Sequence, residues 1–466
     1  MAVNIGDILF AVFNKKNTKQ SGLVKGDVIF DGVSIDSNLH DGTGNPITST
    51  TVGSDQALDV NVIQSSPSTG SQEVKFSKSP NIDAFGRLRV SQVTTQFDAK
   101  QLHDALPLFI DEETIGTGAS AHSTTLAESQ LTTAAASDAV ILQTKQRFNY
   151  QSGKSQLLFW TFNNMDNETN VTKRVGYFSS NTTTPFDSTK DGFWLQSDGT
   201  NMSIQISRSG TSTASVNRSS WDDPLDGTGP SGVTHDFDNN TILVCSYEWL
   251  GVGEVQFGIV KDGVIVPFHY EDFTDTTSVY MSSPNQPMRW EMRQNGAGSG
   301  SLNVICSSVN SEGAINRIGK ILSDNLGTAH VNANSTASKY ALLGIRLQIA
   351  KIDTLVDLIN FSILAITNDN QLVEVWLNPT VTGTFTYNSV TNSSVQIAKG
   401  AGATVSGGTL LYSKYVSAQD ATPIELENAL RLGMSIAGVQ DEIVITTNPL
   451  TSNSDVLASM DWRESA

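Results

Sequence analysis

The stretch that decides the fold is Tyr150-Gln151-Ser152-Gly153-Lys154-Ser155-Gln156-Leu157-Leu158-Phe159-Trp160-Thr161-Phe162. Its Gly-Lys-Ser looks like the end of a phosphate-binding loop. That motif needs a further glycine where this chain has Phe148, a strand before the loop and a helix after it, so that backbone amides converge on phosphate. Here a short aromatic run follows, which reads as a buried β-strand with no helix in sight. The reading is therefore a strand in a β domain, and no nucleotide site.

Outward from this strand, residues 139 to 313 hold a dense series of similar runs, among them AVILQTKQRFNY, KRVGYFSS, GFWLQSDG, NMSIQISRSG, NNTILVCSYEWL and QPMRWEMRQNG. Their lengths and polar separators predict an antiparallel sandwich. Asp262-Gly263, between Gln256–Val260 and Val264–Phe268, is the clearest hairpin signal, because the pair accepts the positive φ of a tight turn. Asp191-Gly192 and Asp198-Gly199 read as further turns. Trp160, Trp194, Trp249 and Trp290 each sit inside a hydrophobic strand and read as core, with a carbohydrate-binding aromatic platform as the competing reading.

The flanks are patterned differently. Residues 1–80 are short alternating pieces with Asp31-Gly32 and Asp41-Gly42, read as a docking arm or small β domain. Residues 81–101 lead a strand into the main domain, and 116–136 read as a loop or one edge strand. After a connector, Lys339–Ile366 is long enough for a helix yet rich enough in β-branched residues for strands. VEVWLNP, TGTFTYN, SSVQIAK, GGTLLYSKYV and DEIVITT are strand-like, and IELENALRLG admits one helix over Ile424–Leu432. The expected fold is mainly β: two antiparallel β-sandwich or jelly-roll domains, 81–319 and 320–466, behind an N-terminal docking segment. No long-period repeat argues for a β-helix.

Composition narrows function. The 466 residues are 38% hydrophobic and only 16% charged, with 37 glycines and a net charge of -18. With 29 Lys and Arg and no basic run, a phosphate backbone would be repelled, so no nucleic acid partner is expected. No stretch approaches the roughly 18 apolar residues of a membrane helix, and no basic segment precedes the N-terminal apolar run as in a secretory signal. Cys245 and Cys306, both in apolar strands, read as buried free thiols.

Chemical constellations are weak. His40, His103, His122, His235, His269 and His330 show no ligand spacing, and no metal or cofactor is expected. Asp222, Asp223 and Asp226, followed by His235, Asp236 and Asp238, form an acidic loop. It reads as solvated turn capping, against calcium binding or a glycosidase carboxylate pair. Gly296–Ser301 lacks the spacing of a nucleophile elbow. The pairs Arg87/Arg89, Lys145/Arg147 and Lys173/Arg174 read as solvent-facing strand residues, or as contacts to acidic surfaces of neighbouring subunits. No catalytic residue is assigned.

AFGRLRVS with TTQFDAK (84–100), RFNYQSGKSQLLFWTFN (147–163), EWLGVGEVQFGIVKDG (248–263), MSSPNQPMRWEMRQNG (281–296) and NVICSSVNSEG (303–313), in this order, resemble a family of virion structural proteins of tailed bacteriophages, especially large environmental and marine phages. The likeness covers residues 80 to 315 and continues more weakly beyond. It implies a non-enzymatic virion component with sandwich domains: an appendage, decoration, neck, baseplate or tail-fibre subunit, made and assembled in the host cytoplasm. Its implied partners are other virion proteins and copies of itself, with three-fold symmetry by analogy. The alternative is a host-receptor or glycan-binding adhesin, and less so a virion-associated glycan depolymerase.

Overall fold

The computed structural model describes residues 82–465 except 86–87, 90–91, 187–189, 317, 368, 420–422 and 452. The expected docking segment 1–80 lies outside the described residues, as do His40 and Arg87. The described chain is mainly β, with antiparallel strands in four sheets and two short 3-10 turns.

The strand that opened the sequence reading, Gln156–Asn163, lies in the middle of an eight-stranded sheet, between Thr241–Tyr247 and Gly300–Ser311. Side chains alternate between the faces of a strand. Leu158, Trp160 and Phe162 therefore enter the core, while Phe159 and Thr161 turn outward, half-buried. The facing layer is a seven-stranded sheet in the order Thr211–Asn217, Met202–Arg208, Lys190–Ser197, Val171–Ser180, Met288–Gln294, Ala139–Thr144, Ile110–Ile115. Aromatic rings tie the layers together. Tyr177 and Phe193 of the seven-stranded sheet meet Tyr247 of the eight-stranded sheet at centroid separations of 5.6 and 5.1 Å, and Phe193 meets Phe257 edge-on at 5.9 Å. Burying each such ring contributes about 1.5–3 kcal/mol.

Residues 320–465 build a five-stranded sheet and a second eight-stranded sheet over another core, centred on Trp462, Phe361, Leu343, Val373 and Ile445. Lys339–Leu347 and Leu355–Ala365 are both strands, which settles the ambiguous 339–366 stretch.

Turn chemistry was partly as expected. Asp262 (φ 52°) and Gly263 (φ 80°) make the hairpin, and the Asp198 carboxylate caps its own turn through the Thr200 and Asn201 amides. Asp191-Gly192 is a correction, because it lies inside the strand Lys190–Ser197. A Cβ on Gly192 would stand 2.2 Å from the Tyr177 carbonyl oxygen, so this glycine serves close approach, and Asp191 instead holds the Ser282 and Ser283 amides. Residues 116–136 form two strands, Ala119–Ser123 and Glu128–Thr133. The segment that admitted a helix over Ile424–Leu432 is instead the strand Ile424–Arg431, paired with Leu355–Ala365. Helix propensity of Glu, Leu and Ala is a weak prior that pairing overrides, here with a cross-strand Arg431–Asp357 ion pair at 2.9 Å.

The outer face of the seven-stranded sheet is buried around a charge. Glu291, 1% exposed, meets Lys190 at 3.2 Å, Arg289 at 2.8 Å and the Arg174 guanidinium, while Lys190 and Arg289 also lie over the Phe178 ring. Burial pushes the Glu291 carboxyl up, but the three cations outweigh it and hold the group well below the usual 4.5. With three cations around one carboxylate, Lys190 is the one most easily discharged. Burial brings it down to about 7 although Glu291 pulls the other way.

This face is also where the two sandwiches meet. Ile436 packs against Ala139, Ile141 and Phe186, and its amide donates to Asp111 Oδ2 at 2.7 Å. The Met434 amide donates to the Lys145 carbonyl, Arg147 pairs with Asp353 at 3.0 Å, and Asn285 donates to the Asp353 carbonyl.

Two outcomes follow from this packing. Replacing Glu291 by Gln leaves buried cations unpaired and should cost roughly 3–5 kcal/mol in urea unfolding at neutral pH. Because the folded carboxyl has the lower pKa, its contribution is present above pH 4.5 and fades as pH falls below it. The Glu291→Gln stability curve should therefore run flatter on the acid side than the native one. Combining Asp111→Ala with Asp353→Ala removes polar contacts across the seam, and calorimetry should then resolve separate transitions for the two sandwiches.

Candidate functional site

The second eight-stranded sheet has an outer face that is only partly covered. In its strand Gln371–Leu377, Val373 and Val375 point into the core, so Leu372, Glu374 and Trp376 face outward. The strand Ile443–Pro449 sets Thr446 beside Glu374 and Val444 beside Trp376. On the other side, the edge strand Thr409–Val416 sets Leu410 beside Trp376, Ser413 beside Glu374 and Tyr415 beside Leu372. Toward one end, Val381 and Phe385 cover Ala341, Ala403, Val405 and Val444.

Next to this covered patch opens a hollow of about 350 Å³, lined by Ser338, Lys339, Trp376, Thr404, Ser406 and Gly407 among others. Gly407 (φ 63°) and Gly408 (φ 79°) form the tight turn at its rim, where a Cβ on Gly408 would stand 2.8 Å from the Leu377 carbonyl oxygen. Glu374 organises the floor. It accepts the Trp376 indole N–H at 3.1 Å and pairs with Lys339 at 2.9 Å, and the Lys339 ammonium stands 3.9 Å from the indole centroid. A cation over an indole is worth about 0.5–2 kcal/mol. Together the three contacts fix a half-buried indole in one orientation. Ser338, Thr404 and Ser406 also border the hollow, with Val405 of the strand Thr404–Ser406 turned to the face that carries Trp376. The arrangement offers an indole and a cationic donor within one open concavity.

Trp376 was not singled out by its sequence context, although a signal was there. In VEVW the valines alternate with Glu374 and Trp376, so a core-facing reading of the valines puts a large aromatic ring on the polar face. The four tryptophans weighed from sequence make no open platform. Trp160 and Trp290 are fully buried, Trp194 is 7% exposed beneath the Phe178 and Gln196 side chains, and Trp249 is tied to the Met281 carbonyl.

The remaining candidates resolve as structural groups. Asp223 is buried and accepts the Leu225 and Ser231 amides, Asp226 caps Thr228, and Asp222 accepts the Tyr270 amide. The acidic loop is thus turn capping, with Asp223 in the interior rather than in solvent. His235 hydrogen-bonds Thr241 at 2.8 Å, and burial lowers its pKa. His269 lies between Asp222 and Glu271, each at 3.2 Å. No group of three metal-ligating side chains converges among the described residues.

The basic pairs are corrected most. Lys173 is fully buried beside Glu168 at 3.1 Å, Arg147 is 9% exposed on the seam, Arg174 holds Glu291, and Arg89 pairs with Glu312 at 2.9 Å. An acidic chain with few cations has placed Lys173 and Arg147 inside and left Arg89 and Arg174 half-buried, each beside a carboxylate. Cys245 is buried and Cys306 half-buried; both are free. Lys154 of the loop that mimics a phosphate site donates to Gln151 and to the Ala314 carbonyl, anchoring the segment after Gly313.

No family profile and no curated protein sequence matches the chain. Among solved structures it is similar to the Emp47p carbohydrate recognition domain, at 12% identity and a TM-score of 0.31 over 48% of this chain and 98% of that one. It is also similar to a legume lectin-like domain from Entamoeba histolytica, at 10% identity and a TM-score of 0.27 over 43% and 89%. The Bacillus licheniformis β-glucanase is similar at 11% identity and a TM-score of 0.30 over 47% and 99%.

Proposed function

We propose that this chain is a carbohydrate-binding protein without hydrolytic activity, and that the hollow beside Trp376 receives a sugar ring. The observation that carries the reading is the indole itself: an outward tryptophan, oriented by Glu374, in a hollow that Ser338, Lys339, Thr404 and Ser406 also line. A pyranose has an apolar C–H face and a polar rim of hydroxyls. It matches a site that pairs one aromatic surface with convergent polar groups. Lys339 supplies further donors at the same place. Glycoside hydrolysis uses two carboxylates flanking the scissile bond. Glu374, the carboxylate that the lining residues engage, is already committed to Lys339 and the indole N–H.

The setting we propose, resting on the sequence resemblance of residues 80 to 315, is the surface of a bacteriophage particle, with the protein present in several copies. A seam that fixes one sandwich against the other suits a subunit that presents its distal hollow at a set orientation. Repetition in a symmetric assembly would turn a weak single-site affinity into firm attachment. Mass spectrometry of purified particles tests the setting, and absence of the chain from them would overturn it.

The binding reading is tested by glycan-array screening followed by calorimetry. A tryptophan anchor at the centre of a site is worth about 2 kcal/mol or more, so Trp376→Ala should weaken sugar binding roughly thirty-fold with unchanged circular dichroism. Glycan binding undiminished in this variant would rule out the hollow as the site.

A further inference from the structure

The sheet that carries Trp376 carries a second outward aromatic on the same face. On the edge strand Thr409–Val416, Tyr412 packs against the core and Val416 belongs to it, so Ser413 and Tyr415 face outward. Tyr415 stands opposite Leu372, four residues along the strand from Trp376, which sets the two positions about 13 Å apart along the strand direction at the rise of an extended strand. Tyr415 is 70% exposed, and Leu410, opposite Trp376, is 45% exposed. Among the described residues the strand pairs on one side only, with Gln371–Leu377, which makes it the edge of the sheet. Between the rings lie Glu374 and Ser413, a polar step flanked by Leu372 beside Tyr415 and Leu410 beside Trp376.

A single exposed aromatic on a strand is ordinary. Two aligned on one face, one of them in a hollow and the other at the open edge, make a track. Building on the reading of the hollow as a sugar site, we infer that the ligand is an oligosaccharide of three or more rings laid along this strand pair, with one ring at Trp376 and a later one stacked on Tyr415. Tyrosine suits such a subsite because it offers a rigid amphipathic face with little side-chain entropy to lose. The phenol also hydrogen-bonds hydroxyls that aliphatic residues cannot.

The test uses the full chain and three series of probes from one to six rings: cello-, malto- and chito-oligosaccharides. Affinities are measured by calorimetry for the native chain, Trp376→Ala, Tyr415→Ala and Tyr415→Phe. In the series that binds, native affinity should climb with length from one ring to four. Tyr415→Ala should abolish that climb, a loss of about ten-fold for the longer members, while leaving the shortest binder unchanged. Tyr415→Phe should keep most of the climb. Equal affinity of native and Tyr415→Ala chains at every length, with Trp376→Ala still deficient, would overturn the second subsite and leave the hollow standing. Equal binding by Trp376→Ala would remove the hollow itself, and failure of the native chain to bind any series would overturn both.

Discussion

A β-strand shows its side chains alternately to two faces, and a two-layer sandwich buries only one of them. The organisation of this protein depends on how its outer faces are disposed of. In the first sandwich the outer face of the seven-stranded sheet is closed. Phe178 and Trp194 lie on it, Glu291 gathers Arg174, Lys190 and Arg289 there, and Ile436 of the second sandwich packs beside Phe186. In the second sandwich the covering stops short, and Trp376 is left beside an open hollow.

That difference separates architecture from function. Buried charge of the Glu291 kind adds little net stability over an apolar substitute, yet losing one partner is costly, so it penalises any arrangement that leaves the cations unpaired. The seam contact of Ile436 with Ala139, Ile141 and Phe186 lies on the same face. The hollow is built from less: three contacts among Lys339, Glu374 and Trp376, and a two-glycine turn. A site anchored on strands in this way is rigid before any ligand arrives, which lowers the ordering cost of binding.

Much of the fold was legible without coordinates, because period-two alternation and turn residues are local. The Gln156–Asn163 strand, the Asp262-Gly263 hairpin and the antiparallel β-sandwich class all come from patterns spanning a few residues. Local reading failed where a long-range partner decided the outcome. Ile424–Arg431 has helix-forming residues and became a strand because Leu355–Ala365 offered a pairing edge. Asp191-Gly192 reads as a turn, yet the backbone of Tyr177 needs a glycine there and the Ser282–Ser283 amides need an acceptor. Lys173 and Arg174 read as surface residues because nothing nearby in sequence reveals Glu291 or full burial.

By itself the sequence determined the class of structure, the strands of both sandwiches in outline, and the acidic balance of the chain. Each rests on composition or on neighbours within one element. Only the tertiary structure decided that Trp376 borders an open hollow. The outward position of Trp376 depends on Val373 and Val375 taking the core side, and its surroundings come from residues 338, 404 and 406, which share no local pattern with it. Sites of this kind are assembled by strand register, and register is set by the packing of whole sheets rather than by any single segment.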